Sequence, residues 1–191
     1  QSTVSVPTLG ATNLGFPVVT GNSLQLNWTK GNGGNRLVIA RAGSAVTNIP
    51  PDFHSYSANS VLGYGDQVGA GNYVVYNGNG SAATVTGLDP GVTYYFTILE
   101  YNGAAYPVYG SSPLTGSQAT NERPTVASTG INFSQWEGNK VTVKWTSGNG
   151  LGRIMIVRQG APVTAKPVDG TTYPATGSFG SGTEIAPGEF V

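Results

Sequence analysis

Apolar residues alternate with polar ones in short bursts along this chain, at the two-residue period of a half-buried strand. Leu24, Leu26 and Trp28 alternate with Gln25 and Asn27, and Val141, Val143 and Trp145 repeat the arrangement. Residues 30–35 predict a turn, since Asn and Gly accept positive φ, and Leu37 and Ile39 are expected to continue the core on the next strand. Residues 73–76, a turn at 77–80 and residues 83–86 read as strand, turn, strand. Turn signals recurring at about 8–12 residues predict an all-β sandwich of short strands.

Residues 28–41, WTKGNGGNRLVIAR, raise a separate question. A glycine-rich run cradles phosphate when a helix follows it and supplies aligned N–H groups. Here a β-rich segment follows, with no Lys-Ser/Thr pair, so the run predicts a strand-to-strand turn. It returns as WTSGNGLGRIMIVR at 145–158, an offset of 117 (145 − 28). The same shift pairs Arg36 with Arg153, Arg41 with Arg158, Pro50 with Pro167, Asp52 with Asp169, Tyr56 with Tyr173 and Gly71 with Gly188. Without a gap, roughly a third of positions between Gln1/Gln118 and Val74/Val191 are identical.

That period suits a whole domain per repeat. Residues 1–6 read as the tail of a preceding repeat or linker, 7–123 as a complete repeat, and 124–191 as a second repeat lacking its last strands. The expectation is a piece of a longer tandem array, against the alternative of a second copy that decayed. The apolar face of 124–191, including Trp145 and Ile156, then needs a cover, so a homodimer, strand exchange or instability is expected.

Charged residues make up only 9 % of the chain and the formal net charge is zero, which argues against nucleic-acid or acidic-membrane binding. Aromatics at 10 % supply core material. Cysteine is absent, which removes disulfides and thiolate chemistry. No run of about 18 apolar residues predicts a membrane span.

The segment Leu88-Asp89-Pro90-Gly91-Val92-Thr93-Tyr94-Tyr95-Phe96-Thr97-Ile98 follows the pattern L-x-P-G-x-x-Y-x-F-x-I. Placed after the Trp28 strand, it resembles the corner and sixth strand of a fibronectin type III domain, an immunoglobulin-like β-sandwich. The resemblance covers nearly all of the first repeat and the first half of the second. It implies that Trp28, and Trp145 in the second copy, are the strand B tryptophan. Leu88 would plug the core base beside Pro90, and Tyr94 would be the buried corner tyrosine. The wider pattern is similar to repeats of large secreted and surface proteins of bacteria, which implies an extracellular or cell-surface setting and a spacer or adhesive role. Residues 42–72 are longer than the usual connection in that family, and a short hairpin or folded-over loop is expected there.

Candidate chemistry is sparse. His54 is the single histidine, opposite Thr171 in the second copy, and reads as a solvated loop residue. Asp52 and Asp169 recur in P-x-D and read as turn caps; a Ca²⁺ site on Asp52 with a partner such as Asp66 is the rival reading. Arg36, Arg41, Arg153 and Arg158 are expected to lay their stems on the sheet and send their charges to water or a carboxylate. The best ligand candidate is the loop carrying Tyr101, Tyr106 and Tyr109, whose rings could stack on sugars or proteins; packing of Tyr101 and Tyr109 onto the sandwich is the competing expectation. The chain is therefore read as a non-catalytic structural or adhesive module without a cofactor. The alternatives are a carbohydrate-binding accessory module and a non-catalytic part of a secreted enzyme.

Overall fold

The computed structural model describes residues 4–191, apart from the side chain of Trp136, so residues 1–3 of the lead-in fall outside it. Two compact units are present, Gln1–Glu122 and Arg123–Val191.

The first unit contains β1 (Thr12–Val19), β2 (Ser23–Thr29), β3 (Asn35–Ala42), β4 (Tyr73–Gly78), β5 (Ala82–Thr86), β6 (Thr93–Asn102), β7 (Val108–Tyr109) and β8 (Leu114–Ala119). One sheet runs β1-β2-β5; the other runs β4-β3-β6, with β7 and β8 sharing the far side of β6. All these pairings are antiparallel. This strand order is that of an immunoglobulin-like β-sandwich of fibronectin type III form.

Between the sheets, Leu24, Leu26 and Trp28 of β2 and Val85 of β5 meet Val38 and Ala40 of β3 and Phe96 and Ile98 of β6. Trp28 packs edge-on against Tyr76, with ring centroids 5.6 Å apart. Leu88 is buried in the same core, and Pro90 is half-buried beside it. Tyr94 fills the corner, where its hydroxyl accepts the Asp89 N–H at 2.8 Å. Burial raises its pKa, partly offset by that bond.

Leu37 and Ile39 do not join this core. β3 reads Leu-Val-Ile-Ala without alternation, and all four residues are fully buried, the signature of a strand covered on both faces. Val38 and Ala40 point between the sheets, whereas Leu37 and Ile39 pack on the outer face with Val68, Val74, Leu99, Tyr101 and Tyr109. Successive side chains in a strand alternate faces, so the two pairs must diverge. The long 42–72 segment supplies the cover, with Val46 and Tyr56 packed on this second core. It is tied down by isolated bridges, Val61 to Thr86 and Gln67 to Tyr73, rather than by a hairpin of its own.

The second unit contains β9 (Thr129–Glu137), β10 (Lys140–Thr146), β11 (Val157–Arg158), β12 (Glu184–Ala186) and β13 (Glu189–Phe190). β9 and β10 form a hairpin, and β11, β13 and β12 form a small sheet. β11 pairs Val157 with Phe190 as β3 pairs Ala40 with Tyr73, which is the same contact shifted by the repeat offset. Residues 152–156, the counterparts of 35–39, form no strand. In the first unit those residues lie between β4 and β6; in the second unit no strand among the described residues pairs with them. Trp145 is 42 % exposed, against 5 % for Trp28.

One charge is nonetheless buried in this unit. The Glu189 carboxylate accepts the Thr164 hydroxyl at 2.7 Å, the Ala165 N–H at 2.7 Å and Arg158 at 3.0 Å. The Thr164 hydroxyl, helped by these N–H groups and by Arg158, holds its pKa below the ordinary carboxylate value against the effect of burial. A depressed folded-state pKa means stability present above the unfolded value of about 4.3 and lost as pH falls through the folded value. Amide protection in 160–190, taken relative to intrinsic exchange at each pH, should therefore fall on acidification, and Glu189→Gln should flatten that dependence.

Candidate functional site

The loop between β6 and β7 separates the three tyrosines it carries. Tyr101 and Tyr109 sit opposite each other where β6 pairs β7, with ring centroids 5.4 Å apart, and both are buried. The Tyr101 hydroxyl donates to Asn77 Oδ1, and that of Tyr109 to the His54 carbonyl at 2.9 Å. Burial pushes both phenols up, most strongly Tyr109, where Tyr101, Tyr56 and Asp52 add to it. They are interior anchors. Only Tyr106, 70 % exposed, presents its ring to solvent. Gly103, at φ +84°, lets the loop close on itself, because a Cβ there would lie 2.7 Å from the Tyr106 carbonyl oxygen.

The 42–72 segment meets this loop directly. Asp52 Oδ1 accepts the Tyr109 N–H at 2.9 Å, and the Phe53 N–H donates to the Pro107 carbonyl at 2.7 Å. Asp52 is thus a clasp between segments 57 residues apart in sequence, rather than a local turn cap. Asp169, its repeat partner, makes an exposed ion pair with Arg123 instead. His54 lies against Tyr56, with rings 4.6 Å apart. Asp66 accepts the Ser57 N–H at 2.7 Å. No group of three His, Cys, Asp or Glu residues suited to a metal ion gathers among the described residues.

Phe53 is the residue that pattern reading passed over. It is 66 % exposed and held at φ +67°, a conformation that costs a side-chain-bearing residue about 1–2 kcal/mol. Its repeat counterpart is Gly170, at φ +76°, so the fold at this point suits glycine and a phenylalanine stands in its place. The signal was present in the alignment of PPDF with PVDG. Phe53 and Tyr106, both exposed, stand on segments joined by the Phe53–Pro107 hydrogen bond.

The glycine-rich loop also holds an anion, and that anion is a side chain. Glu100 of β6, 1 % exposed, accepts the Gly31 N–H at 2.8 Å on one oxygen and the Gly33 N–H at 3.0 Å on the other. Arg36 Nε completes the seat at 2.9 Å and is itself 4 % exposed. The guanidinium also donates to the Gly33 and Asn79 carbonyls, at 2.7 and 3.0 Å. Arg36 therefore does not reach water. A Cβ on Gly33 would lie 2.7 Å from a Glu100 oxygen, so this glycine is required for close approach. Asn32 ties the loop to the lead-in, accepting the N–H groups of Thr8 and Leu9. The second unit reproduces that tie with Asn149, Thr125 and Val126.

No protein-family model matches the chain, and no curated protein matches it either. Among solved structures, it is similar to a computationally redesigned β-sandwich protein, at 18 % identity over 59 % of this chain and 90 % of the other, with a TM-score of 0.39. A fibronectin type III domain of human fibronectin type III domain containing protein 3 is 20 % identical over 64 % and 93 %, with a TM-score of 0.39. A two-domain fibronectin type III segment of chicken tenascin is 18 % identical over 84 % and 77 %, with a TM-score of 0.37.

Proposed function

We propose that this chain is a non-catalytic structural and interaction module of a larger secreted or cell-surface bacterial protein, with Phe53 and Tyr106 as its contact patch. The observation that carries the reading is Phe53, a large exposed ring in a backbone conformation that favours glycine. Strain retained at an exposed position, with no burial to offset it, supports a role outside folding. Four charged groups of the first unit fit the same reading. Arg36, Glu100, Asp52 and Asp66 bind backbone or each other and serve as anchors.

A polysaccharide is the favoured partner class within this reading, because the exposed rings of Phe53 and Tyr106 offer stacking faces and carry no charge. A protein ligand is the second reading. Phe53→Gly separates function from stability. It should raise the stability of the first unit by about 0.5–1 kcal/mol, since relief of the strained φ exceeds the extra chain entropy of glycine. On a panel of soluble and insoluble polysaccharides, the intact chain should bind. Phe53→Gly and Tyr106→Ala should each lose that binding. Failure of the folded chain to bind any polysaccharide would leave the protein-contact reading. Unchanged binding in both variants would remove the patch from either role.

A further inference from the structure

We propose that Asn79 is a modification site, at which the chain deamidates to aspartate and isoaspartate under a gate set by the Tyr76 hydroxyl. Five Asn-Gly pairs occur in the sequence, at 32–33, 77–78, 79–80, 102–103 and 149–150. Each carries the local chemistry for this reaction, because glycine has no side chain to shield its nitrogen and lets the backbone turn that nitrogen toward the preceding amide. The Asn side chain must also be free to swing its Cγ onto the nitrogen. Sequence nominates all five pairs equally, and the structure separates them.

Four of the five amides are held at both ends. Asn32 accepts the N–H groups of Thr8 and Leu9 and donates to the Thr8 hydroxyl, and Asn149 does the same with Thr125 and Val126. Asn77 donates to the Tyr56 carbonyl and accepts the Tyr101 hydroxyl. Asn102 accepts the Gly34 N–H at 2.7 Å and donates to the Ser5 carbonyl at 2.8 Å. Asn79, in the turn between β4 and β5, is exposed, and its side chain has no hydrogen-bond partner among the described residues. The restraint there falls on the nucleophile instead, since the Gly80 N–H donates to the Tyr76 hydroxyl at 2.6 Å. When that bond opens, the Gly80 nitrogen gives its proton to solvent base and attacks Cγ. The new N–Cγ bond closes a succinimide ring, the Cγ–Nδ2 bond breaks, and the amide nitrogen leaves as ammonia. Water then opens the ring. Opening at Cγ leaves aspartate, whereas opening at the α-carbonyl carbon leaves isoaspartate, with the chain running through Cγ. In the second product the oxygen that accepts from Arg36 at 3.0 Å becomes part of a carboxylate. A change in an exposed turn thereby reaches the buried Arg36–Glu100 pair.

The test is peptide mapping of the full chain, with aspartate and isoaspartate resolved, after incubation in mildly alkaline buffer. Conversion at Asn79 should be at least about tenfold faster than at each of the other four, which must first break two or more hydrogen bonds. Tyr76→Phe keeps a ring against Trp28 but removes the acceptor of the Gly80 N–H. It should speed conversion at Asn79 about fivefold, with the rate at Asn77 unchanged as the sign that the turn stays folded. In denaturant the five rates should converge. A second pair that matches Asn79 in the folded chain would overturn the assignment. An unchanged rate at Asn79 in Tyr76→Phe would overturn the gate, and a lead that persists in denaturant would overturn the structural cause.

Discussion

Glu100→Gln is expected to destabilise the first unit by about 3–5 kcal/mol, the usual effect of breaking a buried ion pair. The substitution keeps the volume and removes the charge, so the loss reports electrostatics rather than a cavity. Arg36 would be left 4 % exposed beside a neutral partner. The N–H groups of Gly31 and Gly33 would face an amide that offers one acceptor oxygen in place of two. Because those two donors are backbone, converting the pair to apolar residues (Arg36→Met with Glu100→Leu) should not restore stability. Each orphaned buried N–H costs about 1–3 kcal/mol. Amide exchange in β3 and β6 against denaturant gives the measurement for this unit alone. A loss below about 1 kcal/mol would show that the glycine loop holds its shape without the carboxylate.

Trp28→Ala should cost about 3–5 kcal/mol in the same unit, because a large ring leaves a closed core. Trp28 is 5 % exposed and in contact with Tyr76, and β2 is the central strand of its sheet. Trp145→Ala, at the same place in the repeat, should cost no more than about 1 kcal/mol, within the range of surface changes. Paired measurements on the full chain make a sharp contrast, since the two tryptophans share their local sequence. Comparable losses would mean that Trp145 is covered in solution.

Much of the first unit was legible. Strict alternation in Leu24, Leu26 and Trp28 identified the inward face of β2, and the Leu88–Ile98 pattern located the corner where Tyr94 accepts the Asp89 N–H. β3 was legible as a strand but not in its facing. A run of four apolar residues carries no alternation, and its outer side was invisible until the 42–72 segment was seen lying on it. The contact patch was half legible. Tyr106 was among the named candidates, whereas Phe53 shows itself only when its φ is set beside that of Gly170.

The two repeats separate local causes from tertiary ones. Turn and lead-in recur in both units: Asn32 and Asn149 form the same bonds, across 23 and 24 residues, to the same relative positions, whether or not the later strands flank them. Sequence alone therefore determined the loop, the hairpin of the first two strands in each repeat and the alternation that marks their faces. The third strand was decided by tertiary structure. Residues 35–39 and 152–156 share the pattern, yet only the former are a strand, since a strand's hydrogen bonds lie in its neighbours and only the first unit has both. The same reason sets the fate of the two tryptophans and the two arginines. An apolar face or a buried charge becomes stabilising only when the opposing sheet arrives to exclude water and supply the partner.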